Sequence, residues 1–187
     1  VDIVEGLPDG SVIGYMFDAG TESYSRMRLC VLSINEFFIR HKLKLIICTD
    51  YVDGSICIQD MVKNSGFEAK GYKYGVDYVV MPYLSGGESA LAAIASHFGE
   101  VFSTDYYGTP VSQLELVKDL KRLVDRAKIL FFYVDSYDEP AWLTRQFGVP
   151  YNIPMIGLAQ WGTCSAFYPA YIKGVINFVR GASELEF

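Results

Sequence analysis

The chain has 187 residues, 51% of them hydrophobic and 15% aromatic, with a formal net charge of −6 at pH 7. That length suits one domain able to bury its own core, and such hydrophobicity excludes intrinsic disorder. The acidic balance, with Lys and Arg scattered rather than clustered, excludes a basic nucleic-acid-binding face, so no nucleic-acid partner is expected.

Ser11–Phe17 (SVIGYMF) is an apolar run that predicts a buried strand ending at Asp18. From Thr21 to His41 the residues Met27, Cys30, Val31, Ile34, Phe37 and Phe38 recur at helical spacing. His41 and Lys42 suit the negative end of that helix's dipole. Lys44–Cys48 (KLIIC) predicts a second strand, ending at Thr49 and Asp50, and Ser55–Ser65 a short helix that Gly66 can terminate. Asp77–Leu84 (DYVVMPYL) predicts a third strand, with Pro82 near its end because proline cannot donate to the ladder. Gly86–Phe98 reads as an alanine-rich helix. Residues 103–114 are the least regular stretch, a long loop carrying Asp105, Gly108, Thr109 and Pro110.

A fourth helix over Val117–Ala127 leads into the most hydrophobic strand, Ile129–Val134 (ILFFYV). Pro140–Phe147 predicts a fifth helix and Pro154–Ala159 (PMIGLA) a fifth strand. A final helix is expected over Tyr168–Arg180, with Tyr171, Ile172, Val175, Ile176, Phe178 and Val179 as its packed stripe. Five short apolar strands separated by helices predict one α/β domain over residues 1–187. Its sheet is Rossmann-like, doubly wound, five-stranded and mostly parallel, with helices on both faces.

The cysteines are Cys30, Cys48, Cys57 and Cys164, without a CxxC pair, and the histidines are His41 and His97 alone. No zinc site, and no metal site of any kind, is expected from these. Cysteines inside apolar runs point to a reduced interior. No apolar run reaches the length of a membrane span, and no signal peptide is evident.

In open parallel sheets ligands bind beyond the carboxyl ends of the strands, near the reversal of strand order. Here those ends carry the candidate ligand-binding residues Asp18, Thr21, Thr49, Asp50, Ser85, Gly86, Gly87, Glu88, Asp135 and Gln160. Helix capping accounts for the same residue types: Ser85-x-x-Glu88 has the form of a capping box, and Asp138 precedes Pro140 as a cap would. Ser85-Gly86-Gly87 can also cradle an anion with bare backbone N–H groups, although it lacks a Walker lysine and a dinucleotide fingerprint's third glycine. Asp50 and Asp53, two acids just past a strand, have the chemistry to hold a metal by carboxylate, but such a pair is more often a solvated turn. Tyr72, Tyr74, Tyr78, Tyr106 and Tyr107 read as loop-stabilising rings with polar tips.

Phe17-Asp18-Ala19-Gly20-Thr21 resembles the first motif of haloacid-dehalogenase-type phosphatases, in which an aspartate at the strand end is the nucleophile. That resemblance implies Thr49 in the second motif and Asp135 with Asp138 as the acidic pair for Mg²⁺. Gly20 stands where those enzymes place their acid/base aspartate, and no lysine marks a third motif.

Several segments together resemble a family of uncharacterised prokaryotic membrane proteins in which a soluble α/β domain precedes transmembrane helices. They are Leu7-Pro8-Asp9-Gly10-Ser11-Val12, Tyr74-Gly75-Val76-Asp77-Tyr78-Val79, Gly86-Gly87-Glu88 and Thr104-Asp105 with Gly108-Thr109-Pro110. Tyr168-Pro169-Ala170-Tyr171 and Gly181-Ala182-Ser183-Glu184 complete the set. The resemblance implies the soluble segment of a membrane-associated protein, tethered by an anchor outside this stretch, and fits a chain that opens on Val1. It supplies no catalytic residues. A cytoplasmic side follows from the cysteines.

The expected function is binding of a small ligand or protein partner at the strand carboxyl edge. The alternative is a Mg²⁺-assisted phosphoryl or acyl hydrolase using Asp18 with Asp135 or Asp138. Self-association as a homo-oligomer is a third role. No cofactor is named by any motif.

Overall fold

The computed structural model describes residues 2–182. After one helical turn, α1 (Asp2–Glu5), the chain enters β1 (Val12–Asp18), all of whose residues are buried. The long helix α2 (Thr21–Arg40) follows, and His41 closes it by donating its backbone N–H to the carbonyl of Phe37. Next come β2 (Lys44–Cys48) and α3 (Gly54–Ser65), which stops at Gly66 in the left-handed conformation, φ 64°. β3 (Tyr78–Val80), α4 (Glu88–Ser96), α5 (Phe98–Val101) and α6 (Leu123–Arg126) lead to β4 (Ala127–Val134). α7 (Glu139–Leu143) runs through a π-type turn into α8 (Val149–Tyr151), then β5 (Met155–Gln160), α9 (Tyr168–Ile172) and β6 (Phe178–Ala182).

The strands form one parallel sheet in the order β3-β2-β1-β4-β5-β6. This is the doubly wound, Rossmann-like α/β architecture, with the reversal of winding between β1 and β4. Side chains alternate across the pleat. Ile13, Tyr15, Phe17, Leu45, Ile47, Phe131 and Tyr133 pack beneath α2 and α3. Met16, Ile46, Cys48, Leu130, Phe132 and Val134 pack with Leu91 and Ile94 of α4 and Leu143 of α7. Aromatic rings dominate both layers: Tyr15 meets Phe131 edge-on at 4.7 Å, and Phe132 stacks on Phe167 at 4.9 Å. Each such pair adds about 0.5–1.5 kcal/mol beyond its buried area.

Three elements differ from the sequence expectations. The third strand is short, because Pro82 interrupts the ladder: Met81 still donates to Ile47 at 2.8 Å and Leu84 to Thr49 at 3.2 Å. The expected fourth helix is mostly turns, with α6 its only helical part. Val117, Leu120 and Leu123 all reach the core, and Gly99 packs so closely on the Leu120 carbonyl that an added Cβ would lie 2.7 Å away. The expected final helix ends at Ile172, because Gly174 turns left-handed at φ 71°. Asn177 then brackets Met155, its N–H donating to the Met155 carbonyl and its Oδ1 accepting the Met155 N–H, both at 2.9 Å. That docking makes a sixth strand where the sequence predicts a helix. The side chains of Phe178–Ala182 and of Trp161, and all of Ser183 and Glu184, lie outside the described residues.

Candidate functional site

Strand alternation decides which acids meet at the reversal point. Asp18 ends β1 on the face of Met16, and Asp50, two residues past Cys48, follows β2 on that same face. Glu139 opens α7, which packs there through Leu143. Asp135, one residue past Val134, falls on the opposite face, toward α2.

Asp18 is fully buried, at 0% exposure. Its Oδ1 accepts the backbone N–H of Asp50 at 3.2 Å, whereas its Oδ2, and the Oδ1 of Asp50, are buried without a hydrogen-bond partner. Across the crevice, Asp135 Oδ2 accepts the N–H of Gly20 at 2.9 Å. The short link from Asp18 to Gly20 is therefore tied to β2 on one side and β4 on the other. Glu139, 2% exposed, accepts the Ser136 N–H at 3.4 Å. Behind Asp135, the Ser23 and Tyr133 hydroxyls share a hydrogen bond of 2.7 Å.

The turn from β2 into α3 is shaped by Thr49, whose buried Oγ1 accepts the Tyr51 N–H at 3.0 Å. Gly54 makes room for that hydroxyl, since a Cβ there would overlap it. Tyr51 consequently lies against Gly20, with ring carbons 3.0–3.6 Å from where a Gly20 Cβ would stand. The Asp135 charge, then burial, then Glu139 and Asp53, raise the Tyr51 pKa.

Burial and mutual repulsion raise the pKa values of these acids. Burial first, then the Asp50 and Glu139 charges, raise the Asp18 pKa well above the carboxylate range. Burial raises that of Asp50, and burial followed by the Asp50 and Asp135 charges raises Glu139 to about 9. Asp135 is raised by burial, opposed by its bonds to Gly20 and Ser23.

Of the sequence candidates, Asp18, Thr49, Asp50 and Asp135 converge at the reversal point. Thr21 opens α2 nearby, and its Oγ1 donates to Asp53 Oδ2 at 3.1 Å. Asp53 also accepts the Thr21 N–H at 3.4 Å, so it joins α2 to the turn before α3 instead of capping its own helix. Ser85, Gly86, Gly87 and Glu88 form the turn into α4, docked on the segment after α7. Gly87 faces the Trp142 ring at 3.3 Å, and Glu88 binds Arg145 through two hydrogen bonds of 2.7 Å and Gln146 at 2.9 Å. The expected capping box does not form: Gly87 is the N-cap, and the Glu88 carboxylate is taken by Arg145. Gln160 ends β5, one strand beyond β4.

Asp138 is the exposed N-cap residue of α7. His41 packs beside Phe37 at 4.4 Å with the rings tilted, and His97 Nδ1 meets Ser96 Oγ at 2.6 Å, both at helix ends. In the long loop, Asp105 is buried and accepts Tyr107 N–H, Thr109 N–H and the Tyr74 hydroxyl at 2.7–2.9 Å, which orders the segment.

Sequence reasoning missed Glu139 and Tyr51. An acid in a helix's first turn is ordinary, and only the packing of α7 shows that this one is buried among other acids.

Among the described residues, no three His, Cys, Asp or Glu side chains are arranged to hold a metal ion, and no helix is long and apolar enough to cross a membrane. No family model, curated protein or solved structure matches the chain.

Proposed function

We propose that the protein binds a small organic cation, an amine or guanidine, in the crevice between β1 and β4 and releases a proton on doing so. The observation that carries this reading is the fully buried Asp18, whose Oδ2 has no partner beside the equally orphaned Asp50 Oδ1. An unsatisfied buried polar atom costs about 1–3 kcal/mol, and N–H donors on a cation would satisfy both oxygens. A positive charge there also favours the ionised acids, so binding displaces the protons that burial retains. Tyr51 beside Gly20 offers an aromatic face to such a cation. The resemblance to membrane-anchored proteins fits a segment tethered by an anchor outside this stretch, alone or as a homo-oligomer.

Hydrolysis with Asp18 as a Mg²⁺-assisted nucleophile fits less well. A nucleophilic carboxylate has to be ionised, whereas burial and the neighbouring acids raise the Asp18 pKa, and Asp138 stands exposed outside the cluster.

Titration calorimetry with methylguanidine, agmatine and MgCl₂ at pH 8, in two buffers of different ionisation enthalpy, tests the reading. Saturable binding of an organic cation with buffer-dependent heat is expected, and Asp18→Asn should abolish it while circular dichroism shows the fold intact. No organic-cation binding at about 10 mM, weaker than a typical specific small-ligand site, would sink the proposal. Mg²⁺ binding with turnover of a generic phosphoester would replace it by hydrolysis.

A further inference from the structure

A cavity of about 440 Å³ lies at the β3 edge, away from the carboxyl cluster. One wall is a face of α3: Gln59, Val62, Lys63 and the terminating Gly66 follow one another at three- and four-residue spacing. The floor is aromatic, where Phe67 stacks on Tyr78 at 4.6 Å, and Tyr107 from the long loop forms the opposite side. Such a volume is within the usual range for small-molecule sites.

Polar groups of opposite character line this space. The Tyr107 hydroxyl donates to Gln59 Oε1 at 2.8 Å, leaving Gln59 Nε2 shielded from solvent with no acceptor. The exposed Lys63 supplies a cation, and the exposed Glu68 an anion close enough to Tyr78 to add to the effect of burial in raising that phenol's pKa to about 12. The cavity therefore offers an orphaned amide donor beside a positive charge, a negative charge beside aromatic rings, and an apolar floor.

We propose that this cavity takes a free α-amino acid with an uncharged, apolar side chain. Its carboxylate meets Gln59 Nε2 and Lys63, its ammonium meets Glu68 and the exposed Tyr107 ring, and its side chain lies over Val62 and the rim of the buried Phe67–Tyr78 stack. The site is independent of the carboxyl crevice, so either can fail without the other.

The test is a titration of the ¹⁵N-labelled protein followed by two-dimensional NMR, with L-phenylalanine as the probe. 3-Phenylpropionate, which lacks the ammonium, and phenethylamine, which lacks the carboxylate, serve as comparisons. A saturable response of the Gln59 side-chain amide and the backbone amides of residues 66–69 and 107 is expected. The dissociation constant should be on the order of 1 mM or tighter, as suits a ligand of this size. Each comparison compound, and the Gln59→Met variant, should bind about tenfold more weakly, with the remaining cross-peaks of the variant unmoved as proof of folding. An absent or unsaturable response overturns the proposal. Equal binding of all three compounds, or binding unchanged by both Gln59→Met and Glu68→Gln, overturns it as well.

Discussion

Glu139 occupies the first position of a short helix, where an acid normally faces water and the positive end of the dipole. Here it is buried against Asp50 and Asp135, and its pKa rises from 4.5 to about 9. Below pH 4.5 the folded and unfolded chains both hold this proton. Between the two values the unfolded chain releases it while the folded chain keeps it, so stability falls as pH rises, by about 1.4 kcal/mol per pH unit for one group. Above the folded value the loss is complete. The raised pKa of Asp18 acts in the same direction. The protein should therefore melt at a higher temperature at pH 5.5 than at pH 8. Glu139→Gln should be more stable than the parent at pH 8, with a shallower pH dependence. Melting curves at these two pH values decide the matter, and an unchanged slope would mean that Glu139 titrates as an exposed acid.

Among the elements, two glycines show how differently a missing side chain can matter. Gly157 of β5 lies opposite Phe132 of β4, and an added methyl would overlap the Phe132 ring, which is itself stacked on Phe167. Gly157→Ala should cost about 1–3 kcal/mol by overpacking, a melting-temperature loss of roughly 3–10 °C. Gly66 meets nothing within 4 Å of its absent Cβ and is demanded only by its left-handed φ of 64°. Gly66→Ala should cost about 1 kcal/mol, the strain of that conformation alone. Denaturant titration of both variants measures the difference, and equal losses would contradict the packing account. The helices and strands bounded by such features were readable from the sequence: β1, α2, β2, α3, β4 and β5 agree with the apolar runs and spacings that predicted them. The final helix was not, because Tyr171, Ile172, Val175 and Ile176 fit a helical stripe equally well, and the pairing of Asn177 with Met155 is a contact between distant residues.

For the whole molecule, the sheet order places β1 and β4 at its centre, flanked by β2 and β5, with β3 and β6 at the edges. Backbone amides there should exchange with solvent only on global unfolding, whereas β3 and β6 should open locally. Hydrogen exchange resolved by residue should show slowest exchange at Tyr15–Phe17 and Phe131–Tyr133 and fastest exchange, among the strands, in β6. Comparable protection of β6 and β1 would require a cover on that edge.

The amino-acid sequence alone determined the α/β alternation and the parallel sheet. Those rest on local quantities: hydrophobic period, run length, and the placement of Gly and Pro. The positions of Asp18, Thr49, Asp50 and Asp135 at strand ends were legible for the same reason. Tertiary structure alone decided that β1 stands between β2 and β4, which brings Asp18, Asp50 and Glu139 together on one face. It also decided that Glu88 pairs with Arg145 instead of forming a capping box. Burial, the repulsion between acids and the two orphaned oxygens depend on distances between segments far apart in the chain, and local pattern carries no record of those distances.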